Sequence, residues 1–193
     1  MSAPWDENVA RYRRVGLIVP SSNVTIETEV PAQLGAHPRA AGERCTFHSS
    51  RAVLHRVDAD SLARMLDDAT CCASELADAR VEVVAYACLI AVMAQGPGAH
   101  EREERRLADT LAAAGCPVPV TSSAGALVRR LQDLGLSRVA LVAPYVRSLS
   151  AHSKITSRFV VRPPGAFTGG SVCSCVWAGS REVADAAASW PGR

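Results

Sequence analysis

The sequence predicts an α/β fold built on a doubly wound parallel sheet, and two observations support that prediction. Short apolar runs alternate with longer stretches of helical periodicity up to about residue 145. Parallel neighbouring strands need long crossover connections, which the helical stretches between the apolar runs would provide. The length of 193 residues and the hydrophobic content of 48% allow one domain with a substantial core.

Five strands and four helices are predicted in alternation. The third strand is apolar almost throughout, as expected of a strand that helices cover on both faces. The helix that begins at Asp58 repeats its apolar residues at helical spacing and should pack one face on the sheet, whereas Pro31 is expected to interrupt the first helix. The predicted strands are Val15–Val19, Cys45–Ser49, Val81–Ala87, Val118–Thr121 and Arg138–Ala143, and the other predicted helices are Thr25–Leu34, Glu101–Ala114 and Ala124–Leu134.

The amino-acid composition limits the classes of binding partner that we expect. The net charge of +2 arises from 21 basic and 19 acidic residues, so no dominant field favours nucleic acid or an anionic membrane. No apolar run approaches the roughly 18 residues that span a bilayer, and no apolar signal core begins the chain, so we expect a cytoplasmic protein. Seven cysteines without a secreted-scaffold spacing favour reduced thiols.

The motifs predict neither a metal site nor a nucleotide cofactor. The pair Cys173 and Cys175 forms a C-x-C without a second pair of ligands, which is poor support for zinc. Neither G-x-G-x-x-G nor a Walker pattern occurs. A phosphate-binding loop of either kind is therefore not expected.

Ligands of doubly wound sheets bind just beyond the carboxyl ends of the strands. In this sequence those positions are occupied by polar or reactive side chains: Ser21, Ser22, Asn23, Cys88, Thr121, Ser122 and Tyr145.

Cys88 stands out because it follows the apolar strand directly. A free cysteine is most often inert core packing. At a strand's carboxyl end, beside a turn or helix start rich in backbone N–H groups, a thiolate is instead stabilised and becomes nucleophilic. His100 is expected at the surface near the start of the next helix, so a Cys/His pair has weak support. Position alone leaves the structural and the nucleophilic interpretation of Cys88 open.

Several long blocks carry a family resemblance. The segments "RVGLIVPSSNVTIETEVP" at 14–31, "TFHSSR" at 46–51, "VVAYACLIAVMAQGPGAH" at 83–100, "TSSAGALVRRLQDLG" at 121–135 and "RVALVAPY" at 138–145 occur in this order. Together they resemble the amino-terminal half of the maleate cis-trans isomerases, a family of the aspartate/glutamate racemase superfamily that is related to arylmalonate decarboxylase.

The resemblance implies one Rossmann-like, flavodoxin-like half of a two-domain fold, with the active site in the cleft between the halves. It implies catalysis without cofactor or metal on a small dicarboxylate. Cys88 matches the cysteine that adds to the substrate double bond, which lets the adduct rotate about a single bond.

The same resemblance implies roles for other residues. Asn23 matches an asparagine that holds a substrate carboxylate, and Tyr145 matches a tyrosine that hydrogen-bonds the substrate. Ser22, Leu89 and Ile90 belong to turns whose backbone N–H groups, around 21–23 and 89–91, would complete the anion site. The alternatives are that Asn23 is only a helix cap and Tyr145 only a partly buried aromatic residue.

The resemblance ends after Tyr145. Residues 146–193 hold six Lys/Arg and two Asp/Glu, whereas residues 1–145 hold fifteen and seventeen, so the composition changes abruptly. The only asparagines are Asn8 and Asn23, and the family's second active-site asparagine is therefore missing. We interpret residues 11–145 as the racemase-like α/β domain and 146–193 as an atypical tail, truncated or read from a shifted frame, whose folding is left open.

The sequence thus predicts isomerisation of maleate to fumarate through a covalent cysteine adduct, impaired by an incomplete second domain. Two alternatives remain. One is a non-catalytic truncated domain that binds a carboxylate or a protein partner, whose exposed apolar face would favour a homo-oligomer. The other is a racemase or decarboxylase of the same superfamily, although a racemase needs a second, opposed thiol.

Overall fold

The structure of the protein, a computed structural model, describes residues 12–40 and 43–136 and two further strands at residues 139–141 and 176–178. Four strands form a parallel sheet, namely β1 (Arg13–Pro20), β2 (Cys45–Ala52), β3 (Val83–Tyr86) and β4 (Val120–Ser122). Across the sheet they lie in the order β2-β1-β3-β4. The predicted α/β class with a parallel sheet is confirmed.

Five α-helices connect or follow these strands within the described residues. They are α1 (Ile26–Ala36), α2 (Ala59–Asp78), α3 (Leu89–Met93), α4 (Ala99–Ala113) and α5 (Ser123–Asp133), and a 3-10 turn at Pro38–Ala40 follows α1. The short helix α3 was not predicted, because its five apolar residues directly continue the apolar run of β3 and show no period of their own.

The core lies between the central strands and α2, α4 and α5. Asp58 begins α2 as expected, since its carboxylate accepts a hydrogen bond of 2.8 Å from the Ser61 N–H. Leu62 and Met65 of α2 are fully buried, as are Leu107 and Leu111 of α4. Burial of side chains of this size contributes about 1.5–3 kcal/mol each, which fixes the helices against the sheet.

Two sequence expectations about helices are wrong. Pro31 does not interrupt the first helix, because α1 runs through it. Proline has no backbone N–H, so one backbone carbonyl in the preceding turn of α1 lacks its helical partner. No residue of α1 is buried, and this carbonyl can therefore bond water. His100 is not a surface residue: α4 begins at Ala99, two residues earlier than predicted, which turns His100 to the inner face, where only 9% of it is exposed.

The fifth predicted strand also differs from expectation. The strand β5 (Val139–Leu141) does not extend the four-stranded parallel sheet, but pairs antiparallel with β6 (Val176–Ala178) in a separate two-stranded sheet. A three-residue strand satisfies its backbone groups with whichever neighbour is available, and apolar pattern alone does not name that neighbour.

The strand order creates a switch point. From β1 the chain crosses to β2 on one side, and β3 then pairs with β1 on the other side, with Leu17 opposite Ala85 and Ile18 opposite Tyr86. The loops that leave β1 and β3 therefore turn away from each other. They leave a crevice beyond the carboxyl ends of these two strands, the usual place for a ligand in this architecture.

Candidate active site

The loop after β1 places Asn23 with one end of its side chain fixed. Its Oδ1 accepts hydrogen bonds from the backbone N–H groups of Thr25 at 3.0 Å and Ile26 at 3.1 Å. Asn23 therefore does cap the start of α1, as the structural alternative supposed. Its Nδ2 donates to no described residue, so the donor end of the amide is available to a ligand such as a carboxylate.

Cys88 lies two residues after the end of β3, at the position that precedes the first residue of α3. Only 6% of Cys88 is exposed. Burial raises the pKa of its thiol above the ordinary value, and the nearby backbone N–H groups of Ala91 and Ile90 lower it by a smaller amount. Burial therefore outweighs the effect of these N–H groups on the thiol pKa, and the nucleophilic role of Cys88 stays a prediction.

The two loops border one open pocket of about 400 Å³ at the switch point. Five of the six site residues predicted from the sequence line it: Ser22, Asn23, Cys88, Leu89 and Ile90. The sixth, Tyr145, lies outside the described residues, as do Cys173 and Cys175. The residues brought together come from segments more than 60 positions apart, and the parallel pairing of β1 with β3 is what joins them.

The walls of this pocket are uncharged and largely apolar. Val24, Leu54 and Val57 contribute to the lining, and Val24 remains 78% exposed at the rim. Among the described residues that line the pocket, Cys88 is the one titratable side chain. The pocket can therefore hold a small molecule through hydrogen bonds from N–H and hydroxyl groups and present it to a thiol, but this lining offers no second acid or base.

Part of the expected anion site is already occupied by the fold. The N–H of Ser21 donates to the Ala52 carbonyl at 2.8 Å, and the N–H of Asn23 donates to the Pro20 carbonyl at 2.9 Å. The Ser21 hydroxyl accepts from the Leu54 N–H at 2.9 Å. These two N–H groups, which were expected to bind an anion, serve instead to close the turn and to join it to the end of β2.

The chain is closely similar to characterised enzymes over most of its length. It is 48% identical over 143 residues to the maleate isomerase of Geobacillus stearothermophilus, which covers 74% of this chain and 57% of that protein. It is 52% identical over 138 residues to the maleate isomerase of Nocardia farcinica, which covers 72% of this chain and 54% of that protein. The chain looks like part of a maleate isomerase.

Solved structures agree with this likeness. The maleate isomerase Iso from Pseudomonas putida S16, solved with maleate as a cysteine-to-alanine variant, superposes with a TM-score of 0.74 at 44% identity, over 79% of this chain and 62% of that chain. A cysteine-to-serine mutant of the Nocardia farcinica maleate cis-trans isomerase, with a covalently bound succinylcysteine intermediate, gives a TM-score of 0.70 at 46% identity, over 78% of this chain and 63% of that chain.

The chain is similar to only part of each maleate isomerase. The chain spans little more than half the length of the curated maleate isomerases it matches. Arylmalonate decarboxylase shares the fold alone, with a TM-score of 0.53 at 20% identity, over 72% of this chain and 54% of that chain. No protein-family model matches the chain.

The remaining polar strand ends serve the fold. Ser122 donates from both its N–H and its hydroxyl to Glu104 of α4, at 2.7 and 2.8 Å. The Thr121 hydroxyl accepts from Arg129 of α5. Neither Thr121 nor Ser122 lines the pocket that holds Cys88, so both are assigned to structure, although sequence position alone placed them with the site residues.

Two charged residues near the strand ends were missed. Glu104 accepts the hydrogen bonds from Ser122, and Arg51 of β2 donates hydrogen bonds to the loop that carries Asn23. Arg51 ends the block that resembles maleate isomerases at 46–51, and in a parallel pair the ends of β1 and β2 are adjacent, so its nearness to the loop had a sequence signal. No sequence signal pointed to Glu104, because its hydrogen-bond partners Ser122 and Arg129 are 18 and 25 residues away along the chain.

The described residues lack a metal-binding cluster and a membrane-spanning helix. Within residues 12–40 and 43–136 no group of three or more His, Cys, Asp or Glu side chains is arranged to hold a metal ion. No helix of the described part of the chain is both long enough and apolar enough to cross a membrane.

Proposed function

We propose that the chain carries the nucleophile and one carboxylate-binding group of a cofactor-independent maleate cis-trans isomerase, which converts maleate to fumarate. The observation that supports this most is the placing of Cys88 and Asn23 on the two walls of one pocket at the switch point. The similarity to maleate isomerases, one of them described with maleate and one with a succinylcysteine intermediate, supplies the substrate.

The chemistry follows from what a thiolate does to a conjugated alkene. The sulfur of Cys88 adds to one alkene carbon, and the π electron pair moves to the neighbouring carbon, where the attached carboxylate spreads the charge. A proton taken up at that carbon completes a succinyl adduct, whose central bond is single and rotates. Loss of a proton from the same carbon and cleavage of the C–S bond then re-form the alkene in the trans geometry. No electrons are gained or lost, so the steps require no redox cofactor.

Asn23 and the start of α3 would hold the two ends of the substrate. The Nδ2 group of Asn23 donates to one carboxylate while its Oδ1 stays bonded to the N–H groups of Thr25 and Ile26. Ser22 and Leu89 line the pocket on opposite walls and offer further backbone donors. Tyr145 remains a predicted hydrogen-bond donor to the substrate.

We further propose that addition is easier for this chain than release of fumarate. The carbon next to the C–S bond must exchange a proton, and the described lining holds no titratable side chain besides Cys88. Burial also raises the pKa of the Cys88 thiol, and the thiolate of a less acidic thiol is a poorer leaving group, so cleavage of the C–S bond is slowed. Water then has to act as the proton donor and acceptor, which is slower than a positioned group.

The test separates the two steps. Purified full-length chain is incubated with maleate; fumarate is followed by proton NMR, and the protein mass is measured for the increase of one maleate. Cys88→Ala should abolish both signals, whereas Cys71→Ala, a control at an exposed thiol, should change neither. An adduct on Cys88 with little fumarate is the expected outcome. A folded chain that forms no adduct with maleate would refute the proposed function.

A further inference from the structure

The loop that carries Asn23 is held by an arginine of the neighbouring strand. Arg51 is the next-to-last residue of β2. Its Nη1 donates to the backbone carbonyl of Asn23 at 2.9 Å and to that of Ser21 at 3.1 Å, with a longer contact of 3.5 Å to the Pro20 carbonyl. One guanidinium nitrogen thus faces three carbonyls of the turn that leaves β1.

The other guanidinium nitrogen ties the same arginine to the helix that follows the loop. Nη2 of Arg51 donates to Oε2 of Glu27 at 2.5 Å, and Glu27 lies in the first turn of α1. The hydrogen bond from the Ser49 side chain and the charge of Arg51 together lower the pKa of Glu27, so this partner stays ionised at neutral pH. The planar fork of the guanidinium can serve loop and helix at once because its donors point in fixed directions.

This contact orients the loop more than it stabilises the protein. The side chains of Arg51 and Glu27 are each 36% exposed, and ion pairs at such exposure contribute about 0–1 kcal/mol to folding. The contact matters more for the orientation of Asn23. Arg51 fixes the backbone carbonyl of Asn23, and the N–H of Ile26 at the start of α1 fixes its Oδ1. With the carbonyl and the Oδ1 both held, the side chain of Asn23, which lines the pocket, is restricted to one orientation.

We propose that Arg51 is a positioning residue, which fixes Asn23 for binding one carboxylate of the substrate without itself touching the substrate. This rests on the proposed function for its ligand, while the order of the loop is a property of the protein alone. Arg51 does not line the pocket. Its charge is matched by Glu27, so orientation rather than direct attraction of the anion is its effect.

The experiment compares Arg51→Ala and Arg51→Lys with Arg14→Ala. Arg14 is a matched control, because its Nε also donates to a backbone carbonyl, that of Arg80 at 2.7 Å, at the opposite end of the sheet. Three quantities are measured for each variant: amide hydrogen exchange at Thr25 and Ile26, the maleate concentration that gives half-maximal adduct on Cys88, and the rate of Cys88 alkylation by iodoacetamide, which carries no carboxylate.

The expected pattern is specific to positioning. Arg51→Ala should exchange the Thr25 and Ile26 amides faster and raise the half-maximal maleate concentration about tenfold, the effect of losing one good hydrogen bond to a charged ligand. The alkylation rate and the maximal rate of adduct formation should stay within about twofold. Arg51→Lys should resemble Arg51→Ala, because an ammonium keeps the charge and loses the fork.

Three results would overturn the inference. They are unchanged exchange at Thr25 and Ile26 in Arg51→Ala, an equal effect of Arg14→Ala, and full rescue by lysine, which would show that charge alone matters. If the unaltered chain forms no maleate adduct, the proposed function fails, and the exchange data by themselves decide whether Arg51 orders the loop.

Discussion

Replacing Glu104 with alanine should destabilise the protein strongly, because its carboxylate joins three elements. Oε1 of Glu104 accepts from the N–H and the hydroxyl of Ser122 at the end of β4. Arg129 of α5 donates to Oε2 at 2.9 Å. Gly125 leaves the room for this arrangement, since a Cβ at that position would collide with the Glu104 carboxylate. Removing the carboxylate therefore leaves donors of both β4 and α5 without their acceptor.

The size of the effect follows from burial. Ser122 is 1% exposed, so water does not replace the lost acceptor. A buried donor without a partner costs about 1–3 kcal/mol. The Arg129 side chain is 48% exposed, and its ion pair with Glu104 therefore contributes about 0–1 kcal/mol. We expect Glu104→Ala to lower the free energy of unfolding by about 1–4 kcal/mol, the sum of these contributions.

Urea unfolding followed by far-UV circular dichroism measures this difference. Glu101→Ala is the matched control, because Glu101 lies on the same helix and its side chain is 70% exposed. The control should change the free energy of unfolding by no more than about 0.5 kcal/mol. A loss below about 1 kcal/mol for Glu104→Ala, or one equal to that of the control, would refute the assignment of Glu104 as the acceptor that joins β4 and α5.

Three further predictions concern pH and helix capping. Although burial opposes it, hydrogen bonds from Arg129 and Ser122 lower the pKa of Glu104. The ionised carboxylate therefore adds stability above the unfolded pKa of about 4.3, and that stability is lost as the pH falls through the lower folded pKa. Glu104→Gln should flatten the fall of the unfolding free energy with acid in urea titrations, and an unchanged slope would contradict this prediction. Because burial raises the pKa of Cys88, its alkylation by iodoacetamide should still accelerate above pH about 8.5, the ordinary pKa of a cysteine thiol, where a free-cysteine standard in the same mixture levels off. Mass spectrometry of the Cys88 peptide and of the standard measures both pH profiles, and parallel profiles would rule this out. Asp58→Ala removes the cap of α2 and should cost about 1 kcal/mol of unfolding free energy by thermal or urea denaturation, whereas Asp58→Asn should cost much less.

Much of the fold could be predicted from local pattern. The apolar residues of α2, which recur at helical spacing from Asp58 onward, are a signal within one helix, and they were interpreted correctly. The start of α4 could not be placed as well, because Ala99 is a weak marker and the charged residues from Glu101 onward dominate the pattern. Its spacing still held the signal for the burial of His100, which lies seven and eleven residues before Leu107 and Leu111 on one helical face.

The candidate site was predictable where it depends on strand ends. Asn23 and Cys88 lie in the loops just beyond the ends of two apolar strands, and the rule for parallel sheets places both at one edge. What sequence could not supply was the competition for hydrogen bonds. The N–H groups of Ser21 and Asn23 looked free, yet the turn uses both, and the acceptor of one of them is the end of β2, some thirty residues away. The thiol's burial likewise depends on packing that no local pattern contains.

The pairing of β1 with β3 has a consequence for how this surface can change. The separation between the amide of one loop and the thiol of the other is inherited from the backbone ladder beneath them, where Ile18 accepts a hydrogen bond from the N–H of Ala87 at 2.8 Å. Val24 and Val57, by contrast, are 78% and 49% exposed at the rim and bury little area. Substitutions there can change the shape of the pocket rim without weakening the ladder, so the residues that border a ligand differ from those that stabilise the fold.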